Sequence, residues 1–283
     1  MSSAKKTVLI TGCSQGGVGE ALCRVFHEKG WYVFATLRNP AKAGSLAQLE
    51  HLEVLPLEVT SAESIQTAAD AVAKRTGGSL DVLVNNAGQD FVTPLLDVNL
   101  DEAKRLYDVN VWSIVGVTQV FAPMLIKSKG TICNVSSTAA CMPFAYAGIY
   151  QSSKIASQRI SEVMRIEMAP LGVTVTTGML GAVATPIHDN AGALNLPAGS
   201  YYTAVKETIS KQRQGEHKPG AEKPEVTARN MYNDIIRGKA VIWRGGFAGL
   251  IKFLQAWMPS VLIHIVNNDK DLKVLEKAHQ QGR

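Results

Sequence analysis

Tyr150 and Lys154 stand four residues apart, and Ser137 lies thirteen residues before the tyrosine. Four residues make about one helical turn, so on a helix the phenol and the ammonium project from one face. A cation that close favours the phenolate, and the spacing predicts a tyrosine of depressed pKa that exchanges protons near neutral pH. A serine hydroxyl placed alongside can hold an oxygen on which negative charge grows. The same pair is equally compatible with a solvated i,i+4 contact, so the choice between chemistry and surface decoration falls to the surrounding elements.

The chain opens with a β-rich apolar run, Thr7–Thr11, leading into Gly12-Cys13-Ser14-Gln15-Gly16-Gly17-Val18-Gly19 and then a helical pattern over 20–29 closed by Gly30. Strand, glycine loop and helix start is the order that sets backbone N–H groups against a pyrophosphate. Gly12, Gly16 and Gly19 are the positions expected to line it, since side chains would hold phosphates off the backbone. The same loop also reads Gly-x-Ser-x-Gly, the nucleophile elbow of α/β-hydrolases. That reading fails on position, because an elbow follows several strands and this loop follows the first.

A second strand over 31–36 runs into Leu37-Arg38. Dinucleotide folds that take NAD usually carry an acidic residue near this point, whereas an arginine accommodates the 2′-phosphate of NADP. No Asp or Glu occurs between Lys29 and Glu50. Arg38 and Ser14 are therefore assigned to the 2′-phosphate and NADP(H) to the site, with a solvated strand-capping arginine as the duller alternative. Residues 80–84 form a buried-strand run followed by Asn85-Asn86-Ala87-Gly88, and residues 108–111 sit in a long helical stretch. A further strand over 131–135 delivers Ser136 and Ser137 at its carboxyl end, where ligands bind in open α/β sheets.

Taken together these motifs resemble the short-chain dehydrogenase/reductase family over about residues 5 to 245. Asn110, Ser137, Tyr150 and Lys154 match its catalytic tetrad in order and spacing, and Asn85-Asn86-Ala87-Gly88 matches its fourth-strand motif. The resemblance implies reversible carbonyl reduction by hydride from NADPH. Tyr150 would donate the proton, Lys154 would lower its pKa and bond the nicotinamide ribose, and Ser137 would hold the carbonyl oxygen. Asn110 would anchor a water linking Lys154 to solvent. The resemblance also places Glu58 near the adenine and Asn86, Val183 and Thr185 in the rest of the cofactor site; Ile10, in the strand entering the loop, is counted with them.

Two departures stand out. The glycine motif is one residue longer than usual, which implies a wider phosphate loop, and the Pro-Gly after the sixth strand reads Leu180-Gly181. Within the family, the Gly-Cys-Ser-x-Gly-Gly-x-Gly loop, the Ala-Thr-x-Arg strand end and a long tail with Trp243-Arg244-Gly245 resemble a fungal branch. That branch includes NADPH-dependent 1-acyldihydroxyacetone-phosphate reductases and tailoring ketoreductases of secondary metabolism. A redox-inactive NADP(H) sensor is the rival from another class; its mark would be a broken tetrad, and this one is complete.

Strand-like and helical runs alternate along the 283 residues, of which 46% are hydrophobic. The pattern predicts one α/β, Rossmann-type doubly wound parallel sheet of about seven strands flanked by helices. Residues 1–245 are read as the dinucleotide-binding and catalytic domain and 246–283 as a C-terminal helical extension. A Gly/Pro/Ala-rich lid is expected at about 186–223, its Leu194, Leu196, Tyr201, Tyr202 and Val205 facing a bulky apolar substrate. His188, at the start of that lid, reads as a surface loop histidine.

Cys13, Cys23, Cys133 and Cys141 lack metal-binding spacing, and no His/Cys/Asp cluster suggests a metal. They read as reduced thiols of a cytoplasmic protein. A strand that starts by residue 7 leaves no room for a signal peptide, and the sequon at Asn134 falls in a core strand. Residues 1–200 hold 15 Lys/Arg against 16 Asp/Glu, whereas residues 201–283 hold 14 against 8, so the net charge of +5 comes entirely from the tail. That tail lacks the interleaved aromatic and basic residues of a nucleic-acid surface.

Residues 246–266 are the most apolar stretch, with Phe247, Leu250, Leu254, Trp257, Val261 and Ile265 at helical spacing. Two readings stay open: peripheral contact with endoplasmic reticulum or lipid-droplet membrane, or a pocket wall or subunit interface. Pro259 is expected to split the segment into two helices. The family resemblance implies a dimer or tetramer formed through the long helices around Asn110 and Tyr150.

Overall fold

A computed structural model describes residues 5–189, 192–216, 220–261 and 270–280. The β-branched and aliphatic runs form seven parallel strands: β1 Thr7–Thr11, β2 Tyr32–Leu37, β3 Leu52–Pro56, β4 Val82–Asn85, β5 Thr131–Ser137, β6 Thr174–Leu180 and β7 Val241–Arg244. Their order across the sheet is β3-β2-β1-β4-β5-β6-β7, as the doubly wound reading requires. The connection reverses direction between β1 and β4, and the carboxyl ends of these two strands open the crevice in which such sheets bind ligands.

Alternate strand residues feed two apolar layers. On one face Val8, Ile10, Val33 and Val84 pack with α1 (Val18–Glu28) and α7 (Pro224–Ile236). On the other, Leu9, Phe34, Leu83 and Ile132 pack with α2 (Ala62–Thr76), α4 (Ser113–Ser128) and Met168 at the end of α5 (Gly148–Met168). The helical stretch around Asn110 is not continuous: α3 (Leu100–Tyr107) passes into a π-helical turn at Asp108–Trp112 before α4 begins. Such turns bulge the backbone outward and recur at functional sites.

Of the Leu180-Gly181 step, the glycine has a steric cause, while nothing in the structure explains the leucine. Gly181 donates to the Arg244 carbonyl at 2.8 Å, and Ala182 pairs with Gly246 beyond the end of β7. A Cβ on Gly181 would lie 2.1 Å from the Gly246 oxygen, so the backbones touch and only glycine fits. Val183 then bridges Glu222, tying the segment that follows β6 to the stretch before α7.

The lid region carries α6 (Lys206–Arg213) and short 3₁₀ turns at Pro186–His188 and Thr203–Val205. Here the sequence expectation is corrected. Leu194, Val205 and Ile209 are buried against Val92 and Tyr146, with Leu196 and Tyr202 packed on that cluster, and Tyr201 is exposed. These side chains thus hold the lid to the body, and of its apolar residues Pro186 and Ile187 line the cavity instead. Leu272 and Leu275 of α9 (Lys270–Gln280) close the same cluster, so the tail folds back over the lid. Helix α8 (Ala248–Trp257) ends just before Pro259, the expected break. Phe247 and Ile251 border the central cavity, while Leu250, Phe253 and Trp257 are exposed. Ile265 lies outside the described residues.

The Gly181→Ala variant is expected to lose roughly 3 kcal/mol of unfolding free energy through backbone overpacking, measurable by denaturant titration. An unchanged midpoint would mean that the contact between the β6 and β7 ends relaxes freely.

Candidate active site

The carboxyl ends of the central strands are held by a chain of buried polar side chains. Asn85 Nδ2 donates to Asn134 Oδ1 at 2.8 Å, Asn134 Nδ2 to Ser161 Oγ at 3.2 Å, and Thr177 Oγ1 to Ser161 Oγ at 2.8 Å. This ladder locks β4, β5, β6 and α5 together, since each member would be costly to leave unpaired in the core. The Asn134 sequon is buried within it, as the strand assignment implied. Thr11 continues the arrangement toward the glycine loop by accepting the Asn86 and Ala87 amides at 3.0 and 2.9 Å. Asn86 Nδ2 returns a bond to the Thr11 carbonyl at 2.8 Å.

Above this layer lies a cavity of about 1790 Å³. Its lining includes the expected Gly12, Ser14, Arg38, Glu58, Asn86, Ser137, Tyr150, Lys154, Val183 and Thr185. Four expected residues stand outside that lining. Ile10 is fully buried in β1 and belongs to the core, because a central strand residue facing a helix layer has no route to a ligand. Gly16, which is exposed on the loop, and Gly19, which is buried, are not part of the cavity lining, whereas Gln15, Gly17 and Val18 are. Gly19 serves packing: a Cβ there would meet the Gly12 carbonyl oxygen at 2.5 Å and Asn86 Nδ2 at 2.6 Å. Gly12 and Gly16 take positive φ angles, +72° and +80°, which lets the lengthened loop turn. Gly16 N–H is held at 2.6 Å by the Glu20 carboxylate, itself paired with Arg24.

Asn110 is the fourth. The π turn aims its side chain inward, where Oδ1 accepts the Gln89 amide at 2.8 Å and Nδ2 donates to the Gln89 carbonyl at 2.9 Å and to Ser153 Oγ at 3.0 Å. It clamps the loop after β4 onto α5. Gly88 leaves space between the tetrad members, for a Cβ on it would lie 3.4 Å from both Asn110 Oδ1 and Lys154 Nζ.

Ser137 Oγ donates to the Leu180 carbonyl at 3.1 Å and accepts the Ala139 amide at 3.1 Å, and it is close enough to the Tyr150 phenol to lower its pKa. Lys154 Nζ sits 5.8 Å from the centre of the Tyr150 ring and donates to the Val135 carbonyl at 3.4 Å. The expectation of a depressed tyrosine is overturned. Burial pushes the Tyr150 phenol well above its ordinary value, the charge of Asp90 pushes it further, and the Ser137 hydroxyl only partly offsets them. Lys154 is 6% exposed, and burial pushes its ammonium down to about 8, with Asp90 opposing. The spacing argument treated the pair as if water still solvated the phenolate; desolvation disfavours both charged forms and outweighs their attraction. As folded, the tyrosine is a proton donor.

Two groups that the sequence reading left aside also face the cavity. Lys42 joins Arg38 and Asn39 beyond the end of β2. His188, expected on the surface, is buried beside Asp90, its Nδ1 2.9 Å from Oδ2. The nearby Pro186 could have flagged a fixed turn, but no sequence signal pointed to its partner.

The fit of a dinucleotide rests on the steric emptiness of the loop. A Cβ on Gly12 would strike Ala87 Cα at 2.9 Å, so backbone amides at the start of α1 stay open at the crevice between β1 and β4. A phosphate loop at that crevice, facing a serine–tyrosine–lysine constellation, defines an oxidoreductase that uses a nicotinamide cofactor. The sequence model of short chain dehydrogenases matches residues 6–196, and the chain belongs to that family.

The chain is 49% identical over 271 residues to the short-chain dehydrogenase cctT of Talaromyces islandicus, covering 94% of this chain and 96% of that protein. It is 35% identical over 256 residues to the NADPH-dependent 1-acyldihydroxyacetone phosphate reductase of Schizosaccharomyces pombe, with 86% of each covered. The crystal structure of a short-chain dehydrogenase from Streptomyces avermitilis superposes with a TM-score of 0.76 at 28% identity, over 92% of this chain and 94% of that one.

Lys154 holds its proton less tightly in the folded protein than in the unfolded chain, whose lysines titrate near ~10.4. Between about 8 and that value the unfolded state binds more protons, so this residue makes stability rise with pH. The stability of the wild type relative to Lys154→Met should therefore increase by roughly 2 kcal/mol from pH 7.5 to 10, read from paired urea melts. Taking the difference cancels the buried cysteines, and a pH-invariant difference would mean that the ammonium is solvated.

Proposed function

We propose that the protein is an NADPH-dependent reductase of a bulky ketone, with Tyr150 as general acid. The observation that carries this reading is the meeting of Ser137, Tyr150 and a buried Lys154 on one cavity wall, with Lys154 Nζ 5.8 Å from the centre of the Tyr150 ring. When bound, NADPH supplies the hydride that adds to the carbonyl carbon. The residues of the chain do the rest. Ser137 and Tyr150 together hold the carbonyl oxygen, and Tyr150 passes its proton to that oxygen as negative charge develops. Lys154 then stabilises the phenolate left behind, and the Asn110 clamp keeps the Gln89 loop from closing over it.

NADPH over NADH is part of the same proposal. The Arg38 guanidinium lies 3.8 Å from Glu58 with both side chains substantially exposed. A pair of that kind contributes little, about 0–1 kcal/mol, so Arg38 is free to turn to a 2′-phosphate with Lys42 beside it. The NADPH dependence of the Schizosaccharomyces pombe relative, an NADPH-dependent 1-acyldihydroxyacetone phosphate reductase, supports the same choice of cofactor.

Replacing Tyr150 with Phe should lower kcat for ketone reduction by on the order of 10³ while NADPH still binds, followed by its fluorescence. Retained turnover would sink the acid assignment and favour a sensor. Arg38→Ala should raise KM for NADPH by roughly tenfold and leave that for NADH unchanged. Equal effects on the two cofactors would show that the arginine does not read the phosphate.

A further inference from the structure

Asp90 lies two residues beyond Gly88 on the loop that Asn110 clamps through Gln89. Its Oδ1 accepts the Phe91 amide at 2.8 Å, leaving Oδ2 for His188 Nδ1 at 2.9 Å. The histidine side chain is 9% exposed and that of Asp90 13%. The carboxylate oxygen approaches the ring without forming an aligned hydrogen bond, so both ring nitrogens are without a hydrogen-bond partner. The lid closes over the ring at Gly215, whose φ is +75°; a Cβ there would lie 2.4 Å from His188 Cδ2. A buried polar atom without a partner costs about 1–3 kcal/mol, and a native protein that keeps one has a functional reason or a bound molecule to satisfy it.

The charges around the cavity narrow that ligand. Among the described residues its lysines and arginines are Arg38, Lys42 and Lys154. The first two stand beyond β2 on the adenosine side, and the third belongs to the tetrad. What the lid and its neighbours present instead is Asp90, Asp189, Thr208 and Gln212, with apolar Phe144 and Phe247. Among the described residues a phosphate ester would meet carboxylates there and no unassigned lysine or arginine.

We propose that Asp90 and His188 form an orienting pair that hydrogen-bonds a hydroxyl of the substrate, so that the preferred substrate is an uncharged, hydroxylated ketone with a bulky apolar body. A hydroxyl both donates and accepts, and so satisfies Nε2 in either tautomer of the ring. Asp90 also acts electrostatically on Tyr150 and Lys154, which places the pair on the reacting side of the cavity. The proposal rests on the ketone-reductase reading and adds the residues that select among ketones.

The test compares kcat/KM for NADPH-dependent reduction of an aromatic bicyclic ketone, its hydroxylated analogue and palmitoyl-dihydroxyacetone phosphate. The wild type should prefer the hydroxylated ketone over its parent by roughly tenfold. His188→Ala should abolish that preference while the parent ketone is reduced within about twofold of wild type, and His188→Gln, which keeps a donor and an acceptor, should restore part of it. A preference that survives His188→Ala, or a wild type that turns over the acyl phosphate best, overturns the proposal and leaves the reductase reading intact. A wild type that binds NADPH yet reduces none of the three overturns both.

Discussion

An ammonium taken almost wholly out of water at the floor of the cavity is the constraint to which the rest of this structure answers. Lys154 has one protein acceptor, the Val135 carbonyl, at 3.4 Å, and burial brings its pKa down to about 8. Holding it there requires a floor that does not shift. The Asn85–Asn134–Ser161–Thr177 ladder supplies that floor across three strands and α5. The π turn supplies the side wall by swinging Asn110 onto Gln89 and Ser153, where an uninterrupted α-helix would have carried that side chain past them. Each of these polar groups is satisfied by another, so loss of one member would leave its partners unpaired in the core.

Much of this was legible in the sequence because it rests on local pattern. Thr7–Thr11 is an apolar run followed by glycines, and the strand forms over those residues. The strand order follows from alternating β and α runs and short connections. Ser137, Tyr150 and Lys154 come together because one is the last residue of β5 and the others share a face of α5. Gly12, Asn86, Val183 and Thr185 reach the cavity for a similar reason, since each stands just past a strand end.

What could not be read was whatever depends on which atoms lose water and which segment lies opposite. Spacing set Lys154 near Tyr150 but carried no information about their burial, and burial reversed the sign of the tyrosine shift. Leu194 and Val205 are apolar in sequence whether they face a ligand or Tyr146; the fold buries them against Tyr146. Ile10 and Gly19 neighbour the loop in sequence yet lie under it, as packing and not as surface. His188 and Asp90 are 98 positions apart, and nothing local to either announces the other.

The inversion at Tyr150 bears on what the constellation can do. A phenol held protonated is present as the acid at any neutral pH, so the proton needed when a carbonyl oxygen gains charge is already in place. A raised pKa also makes that phenol a weaker acid, and transfer becomes favourable only as the acceptor oxygen approaches full alkoxide character. Ser137 restores part of the balance, since its hydroxyl beside the phenol favours the phenolate. Asp90 acts on both partners at once: it strengthens the hold on the phenolic proton and keeps Lys154 charged to higher pH than burial alone would allow. The carboxylate beside the tetrad therefore couples the protonation of the acid to that of its supporting cation.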